Sequence, residues 1–255
     1  MDRLFRTLLA LIAPAAAFAA PANTPVATGK DALARLPLRF ESNQGQFGRG
    51  VDFAARANRY QLFLSGARAT FAFGDSSHID LSLQGGNASA RAEGVDPTAV
   101  RTNYFTGSRN QWHAASNYSR VRYHDVYPGV DMVYYGSQQQ IEYDFVLAPN
   151  ADPSSIRMKF DGAAKLSLNA SGDLLLDTPA GLVTQKRPVI YQDGVKRRYV
   201  EGRYMLLGDN TVGLRLAQYD RTKPLVVDPI VLFGSYLGGS LAESPPAETL
   251  IRTGV

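Results

Sequence analysis

The stretch YSRVRYHDVYPGVDMVYYGSQQQIEYDFVL, residues 118–147, decides the fold. It reads as two or three β-strands joined by tight turns. Tyr127-Pro128-Gly129 is turn chemistry, because Pro presets one backbone angle and Gly tolerates positive φ. Val130–Tyr135 and Ile141–Leu147 predict a hairpin across Gly136–Gln140. Successive strand side chains alternate, so Ile141, Tyr143, Phe145 and Leu147 share a core face and Glu142 and Asp144 an outer one.

The same signal extends in both directions. From Leu38 to Leu232, short β-branched and aromatic runs alternate with Gly, Asn, Asp and Pro clusters about every 8–12 residues. Tyr60–Leu64 and Ala69–Phe73 flank a turn at Ser65–Arg68. Ile79–Leu83 alternates cleanly. Leu166–Leu168 and Leu174–Asp177 bracket Asn169–Asp173. Val189–Gln192 and Arg198–Met205 bracket Asp193-Gly194, and Tyr204–Leu207 and Val212–Leu216 bracket Gly208–Asn210. Lys223–Leu232 reads as a strand pair. Asp152–Ser155 suits one helical turn, with Asp as cap and Pro at the first position. Many hairpins without a helical layer predict an all-β fold, an antiparallel β-sandwich-like arrangement over residues 38–232. The best internal boundary is Ala148–Pro153, between two hairpin-rich halves.

The ends read differently. Arg3 and Arg6, an apolar run to Phe18 and an Ala17-Phe18-Ala19 cleavage pattern predict a secretory signal peptide over residues 1–19. Residues 20–37 read as a small-residue linker. The tail 233–255 loses the β pattern from Leu241 and predicts disorder. No stretch has the length of a transmembrane helix, so no stable membrane insertion is expected after cleavage. The 255 residues carry a formal charge of +4, and loss of Asp2, Arg3 and Arg6 with the leader lowers it to +3. Charges are scattered apart from Lys196-Arg197-Arg198, which reads as a solvated hairpin turn rather than a nucleic-acid contact. The absence of cysteine excludes disulfides, thiol catalysis and Cys-based zinc sites.

Motifs that carry chemistry are sparse. His78, His113 and His124 are isolated, with no metal-ligand spacing, and neither a G-x-S-x-G elbow nor a phosphate loop occurs. Glu142 and Asp144 stand about 7 Å apart along one strand, within the broad window of glycosidase carboxylates. Neighbours on one strand converge poorly, however, and cross-strand pairing with Arg or Lys is the expectation. Asp125 and Asp131 read as turn caps. Glu41–Gln46 (ESNQGQ) reads as an edge-capping loop, and Trp112, the only tryptophan, as a loop anchor. If the chain binds a sugar, Trp112, Tyr127, Asp131 and Tyr135 are the residues expected to meet it, through ring stacking and hydroxyl contacts.

Six stretches, in order, carry a family resemblance: LRFESNQGQ (38–46), VDFAARANRYQLFLS (51–65), TNYFTGSRNQWHAASNYSRVRYHDVYPGVDMVYYG (102–136), IEYDFVLAPNADPSSIRMKFDGA (141–163), GDLLLDTPAGLVTQKRPVIYQ (172–192) and YDRTKPLVVDPIVL (219–232). Together they resemble the N-terminal domain of unknown function of large secreted bacterial proteins, commonly placed ahead of SBBP-type β-propeller repeats. FGSYLGGS (233–240) resembles the opening of a first propeller repeat, and a gene truncation or frameshift near Ser240 is expected. The resemblance implies a mostly β, secreted or cell-surface accessory module, with the periplasm as the alternative location. Propeller repeats or other surface proteins are its implied partners. No catalytic residue, cofactor or metal comes with it. Glycan binding is the alternative function, and glycan hydrolysis a weaker one.

Overall fold

The computed structural model describes residues 38–233, apart from 58–59, 75–76, 138–139, 180 and 230. The expected leader and linker, and the tail beyond Phe233, lie outside the described residues.

A meander opens the fold: β1 (Phe40–Ser42), β2 (Phe53–Arg56), β3 (Tyr60–Ser65), β4 (Arg68–Phe73) and β5 (His78–Leu83). Long strands β6 (Ala92–Tyr104) and β7 (His113–Tyr127) follow, then β8 (Val130–Ser137) and β9 (Gln140–Leu147). After β10 (Met158–Asp161) come β11 (Lys165–Leu168), β12 (Leu174–Thr178) and β13 (Gly181–Gln185). The chain then forms β14 (Val189–Gln192), β15 (Arg198–Val200), β16 (Gly202–Gly208), β17 (Thr211–Leu216), β18 (Leu225–Asp228) and β19 (Val231–Phe233). Two 3₁₀ turns, Arg109–Gln111 and Pro153–Ser155, interrupt the pattern, and Asp152 caps the second as expected, accepting from the Ser154 amide at 3.0 Å.

The strands form an all-β, antiparallel, hairpin-built fold of two sheets. The large sheet runs β15-β14-β18-β9-β8-β7-β1-β2-β3-β4-β5-β10-β17-β16, with β6 beside β7. The small one runs β11-β12-β13-β19. Two corners curl the large sheet into a near-barrel. At the first, β6 lines one edge of β7, while β8 pairs with Arg120–Tyr127 and β1 with Asn117–Tyr118 along the other. The chain therefore turns over where β8 ends and β1 begins: a Cβ on Gly136 would sit 2.5 Å from that of Leu38. At the second, β15 and β16 are the two ends of the sheet order, yet only Glu201 separates them in sequence. One residue spans no more than a few ångströms, so the sheet's ends must meet there.

The two walls share one core. Alternation buries Tyr60, Leu62 and Leu64 on β3 and Ile141, Tyr143, Phe145 and Leu147 on β9. A fully buried side chain of this size stabilises by about 1.5–3 kcal/mol. Buried tyrosines need partners for their hydroxyls, and these cross the core. The Ile141 amide donates to Tyr60 at 3.0 Å, and Tyr123 donates to Asp52 at 3.0 Å. The small sheet packs Leu174, Leu176 and Val183 into the same core. Its Gln185 bridges the large sheet, accepting from Tyr143 at 2.7 Å and donating to Tyr204 at 2.8 Å.

Two expectations change, and one open question closes. Arg198–Met205 is not one strand, because the chain exchanges β14 for β17 as partner at Glu201. Lys223–Leu232 does not pair with itself: β18 joins the large sheet and β19 the small one. Strands on either side of Ala148–Pro153 interleave, with β10 on β5 and β18 on β9, so the halves share one sheet and one core.

Candidate functional site

Among the described residues, the β6–β7 ribbon presents the most exposed pair of packed aromatic rings, Phe105 and Trp112. Strands β6 and β7 end at Tyr104 and His113, which are cross-strand partners with stacked rings, 5.2 Å apart. Between them the chain makes the Arg109–Gln111 turn, with Ser108 as cap. Gly107 takes φ +74°, and a side chain there would meet the Gln111 amide. Phe105 (67 % exposed) and Trp112 (43 % exposed) pack edge to face at 5.1 Å, and the Arg109 guanidinium lies 5.6 Å from the Trp112 ring centre. Trp112 is thus partly buried, packed between Phe105 and Arg109 with the rest of its ring in solvent.

The ESNQGQ loop meets this ribbon. Gln44, Gly45, Gln46, Tyr104, Gln111 and His113 line a concavity of about 580 Å³. The loop is also self-capped, as expected: Asn43 donates to Val51 O at 2.8 Å and Gln46 to Glu41 at 2.7 Å. Among the described residues, two buried side-chain polar atoms lack a hydrogen bond of normal geometry, the Tyr104 hydroxyl and Nε2 of His113. Burial, then the neighbouring Glu41 carboxylate, pushes the Tyr104 phenol up to about 12. Phe105 and Trp112 do not line the concavity, so aromatic platform and amide pocket are separate surfaces.

The other residues expected to meet a ligand lie elsewhere. Tyr127 is 4 % exposed, and its hydroxyl donates to Gln84 O at 2.9 Å and accepts from the Arg157 amide at 3.2 Å. It clamps the β5–β10 connection, and no ligand can reach its ring. Asp131 binds Arg122 (2.8 Å to Nε) and accepts the Asp125 amide at 2.8 Å, while Asp125 caps Gly129 at 3.2 Å. Both are turn and strand ties. The four residues Trp112, Tyr127, Asp131 and Tyr135 are not brought together.

Tyr135 belongs to an acidic cluster on the outer face of β8, β9 and β18. Its half-buried hydroxyl donates to Asp144 at 3.0 Å and lies 3.5 Å from Asp228. Burial, then the charge of Asp228, pushes Asp144 up to about 7; burial also raises Asp228. Asp144 therefore has an acidic neighbour in place of the expected Arg or Lys. The sequence does not point to Asp228, because it reaches the Tyr135 hydroxyl across β9 from 93 residues further along the chain. A groove of about 930 Å³ lies apart from all of these, where β15 and β16 meet beside Arg187, Arg203 and Arg215. Among the described residues no group of His, Asp and Glu gathers as a metal site, and no helix is long and apolar enough to cross a membrane.

These features define an antiparallel β protein with a curled principal sheet, a projecting aromatic-tipped ribbon and an arginine-lined seam. The chain belongs to the family of the domain of unknown function DUF7948, whose model matches residues 40–230. No curated protein and no solved structure matches it.

Proposed function

We propose that this chain is a non-catalytic, exported accessory module that works by docking. Its partner is an SBBP-type β-propeller or another surface protein, outside the cell or in the periplasm. The observation that carries the reading is the ribbon tip, where Phe105 and Trp112 stand exposed against each other beside Arg109. Exposed aromatic and arginine side chains are the typical anchors of protein interfaces. Support for export comes from the signal-peptide pattern of residues 1–19, and support for the propeller from the FGSYLGGS resemblance at 233–240. The test is binding of the full chain to a recombinant SBBP-type propeller, measured by biolayer interferometry. The Phe105→Ala/Trp112→Ala double variant is expected to bind at least about tenfold more weakly. Absence of binding by the wild type, or equal binding by the variant, would sink docking to a propeller through the ribbon tip.

The amide-lined concavity favours a second reading, sugar recognition, because side-chain amides suit sugar hydroxyls. A glycan array with wild type and Gln111→Ala tests it; a glycan retained by the first and lost by the second moves the assignment there.

A further inference from the structure

The arginine-lined seam points to a ligand of another kind. Cross-strand register places Arg203 directly opposite Arg215, both exposed, at the end of the β16–β17 hairpin. Like charges so placed destabilise a sheet. Arg187, from the segment before β14, lines the same groove. Among the described residues none of the three guanidiniums has a hydrogen-bond or ion-pair partner: the nearby Asp173 accepts instead from Lys186 and from the backbone amide of Arg187. Glu201 is the one carboxylate among the lining residues. Tyr199, 66 % exposed, adds a ring to the wall.

The backbone of the groove has little left to offer an added strand. Glu201 O already accepts from the Ala217 amide at 2.8 Å, Pro188 has no N–H, and Val189 and Ile190 pair with β18. Recognition must come from side chains: guanidinium forks that match carboxylate or sulfate, and an exposed phenol ring that matches a sugar face. We propose that the seam groove is a binding site for an acidic saccharide, a chain bearing uronate carboxylates or sulfates.

The experiment uses the full chain with three fluorescent probes: an oligogalacturonate, a sulfated heparin oligosaccharide and a glutamate-rich peptide. Neutral maltohexaose is the control. At least one acidic saccharide is expected to bind, with affinity falling as salt rises. Arg203→Ala and Arg215→Ala should each weaken it about tenfold, the loss of one charge-assisted hydrogen bond. Tyr199→Ala should weaken it as well, while Arg101→Ala, on the distant ribbon, should not. All four changes lie on exposed side chains, and an unchanged melting temperature confirms the fold. Failure of both acidic saccharides to bind overturns the proposal, as does insensitivity to the two arginines. Tighter binding of the peptide than of either saccharide also overturns it, and assigns the groove to a protein partner.

Discussion

Asp144 and Asp228 are adjacent carboxylates, and Asp144→Asn isolates what that arrangement costs. An aspartate that titrates at about 7 in the fold and near 3.8 when unfolded binds its proton more tightly in the folded state. The sign follows: Asp144 imposes no penalty below about pH 4, a growing one between about 4 and 7, and its full penalty above. At about 1.4 kcal/mol per pH unit the shift corresponds to about 4 kcal/mol, and partial solvent access reduces this to about 2 kcal/mol. Asparagine keeps an acceptor for the Tyr135 hydroxyl and removes the charge. At pH 8 the variant should melt about 4–8 °C above the wild type, the shift expected for about 2 kcal/mol in a chain of this size. At pH 4 the two should melt together. Thermal unfolding followed by circular dichroism at both pH values decides it. A variant that gains nothing at pH 8, or gains equally at pH 4, would show that burial and Asp228 do not raise the Asp144 carboxyl.

Three further outcomes follow from the packing. Gln185→Leu removes the bridge between Tyr143 and Tyr204 and should cost about 2–4 kcal/mol, read as a lower urea midpoint with an unchanged slope. Tyr127→Phe loses the hydroxyl that clamps Gln84 and Arg157; it should cost about 1–3 kcal/mol and speed hydrogen exchange at the Arg157 amide. Gly66→Ala places a Cβ at φ +51°, 2.1 Å from the Ala88 carbonyl oxygen. It should cost more than about 2 kcal/mol in thermal unfolding, whereas Gly48→Ala, with open space around it, should be near neutral.

Local pairings were legible in the sequence, and distant ones were not. The hairpins β3–β4, β8–β9, β11–β12 and β16–β17 fall where turn residues and alternation place them, because two-residue periodicity and glycine turns are local signals. Strand β6 carries no such signal. It contains Gly94, Asp96 and Pro97, residues that discourage strands, and it tolerates them as the outer strand beside β7, with a bulge between Pro97 and Arg101. The break at Glu201 was equally hidden, because Arg198–Met205 has one composition but two partners. At the candidate site, the exposed Trp112 was recognisable as a lone tryptophan in a loop, while its Phe105 partner needed the ribbon register. Tyr127 looked like its neighbours, and burial alone separated it from them. Arg203 and Arg215 could have been placed opposite each other by counting outward from the Gly208–Asn210 turn.

The two ends of the large sheet meet at Glu201, late in the chain, and this orders events during synthesis. Strand β9 keeps an open edge until Leu225 arrives opposite Leu147, and β5 waits for Met158 opposite Leu83. A chain emerging from its N-terminus therefore displays hydrophobic, hydrogen-bond-hungry edges for much of its elongation. Such species fold slowly and self-associate readily. Chains interrupted before β18 would keep the β9 edge permanently unpaired, so the last strands act as the protein's own guard against aggregation.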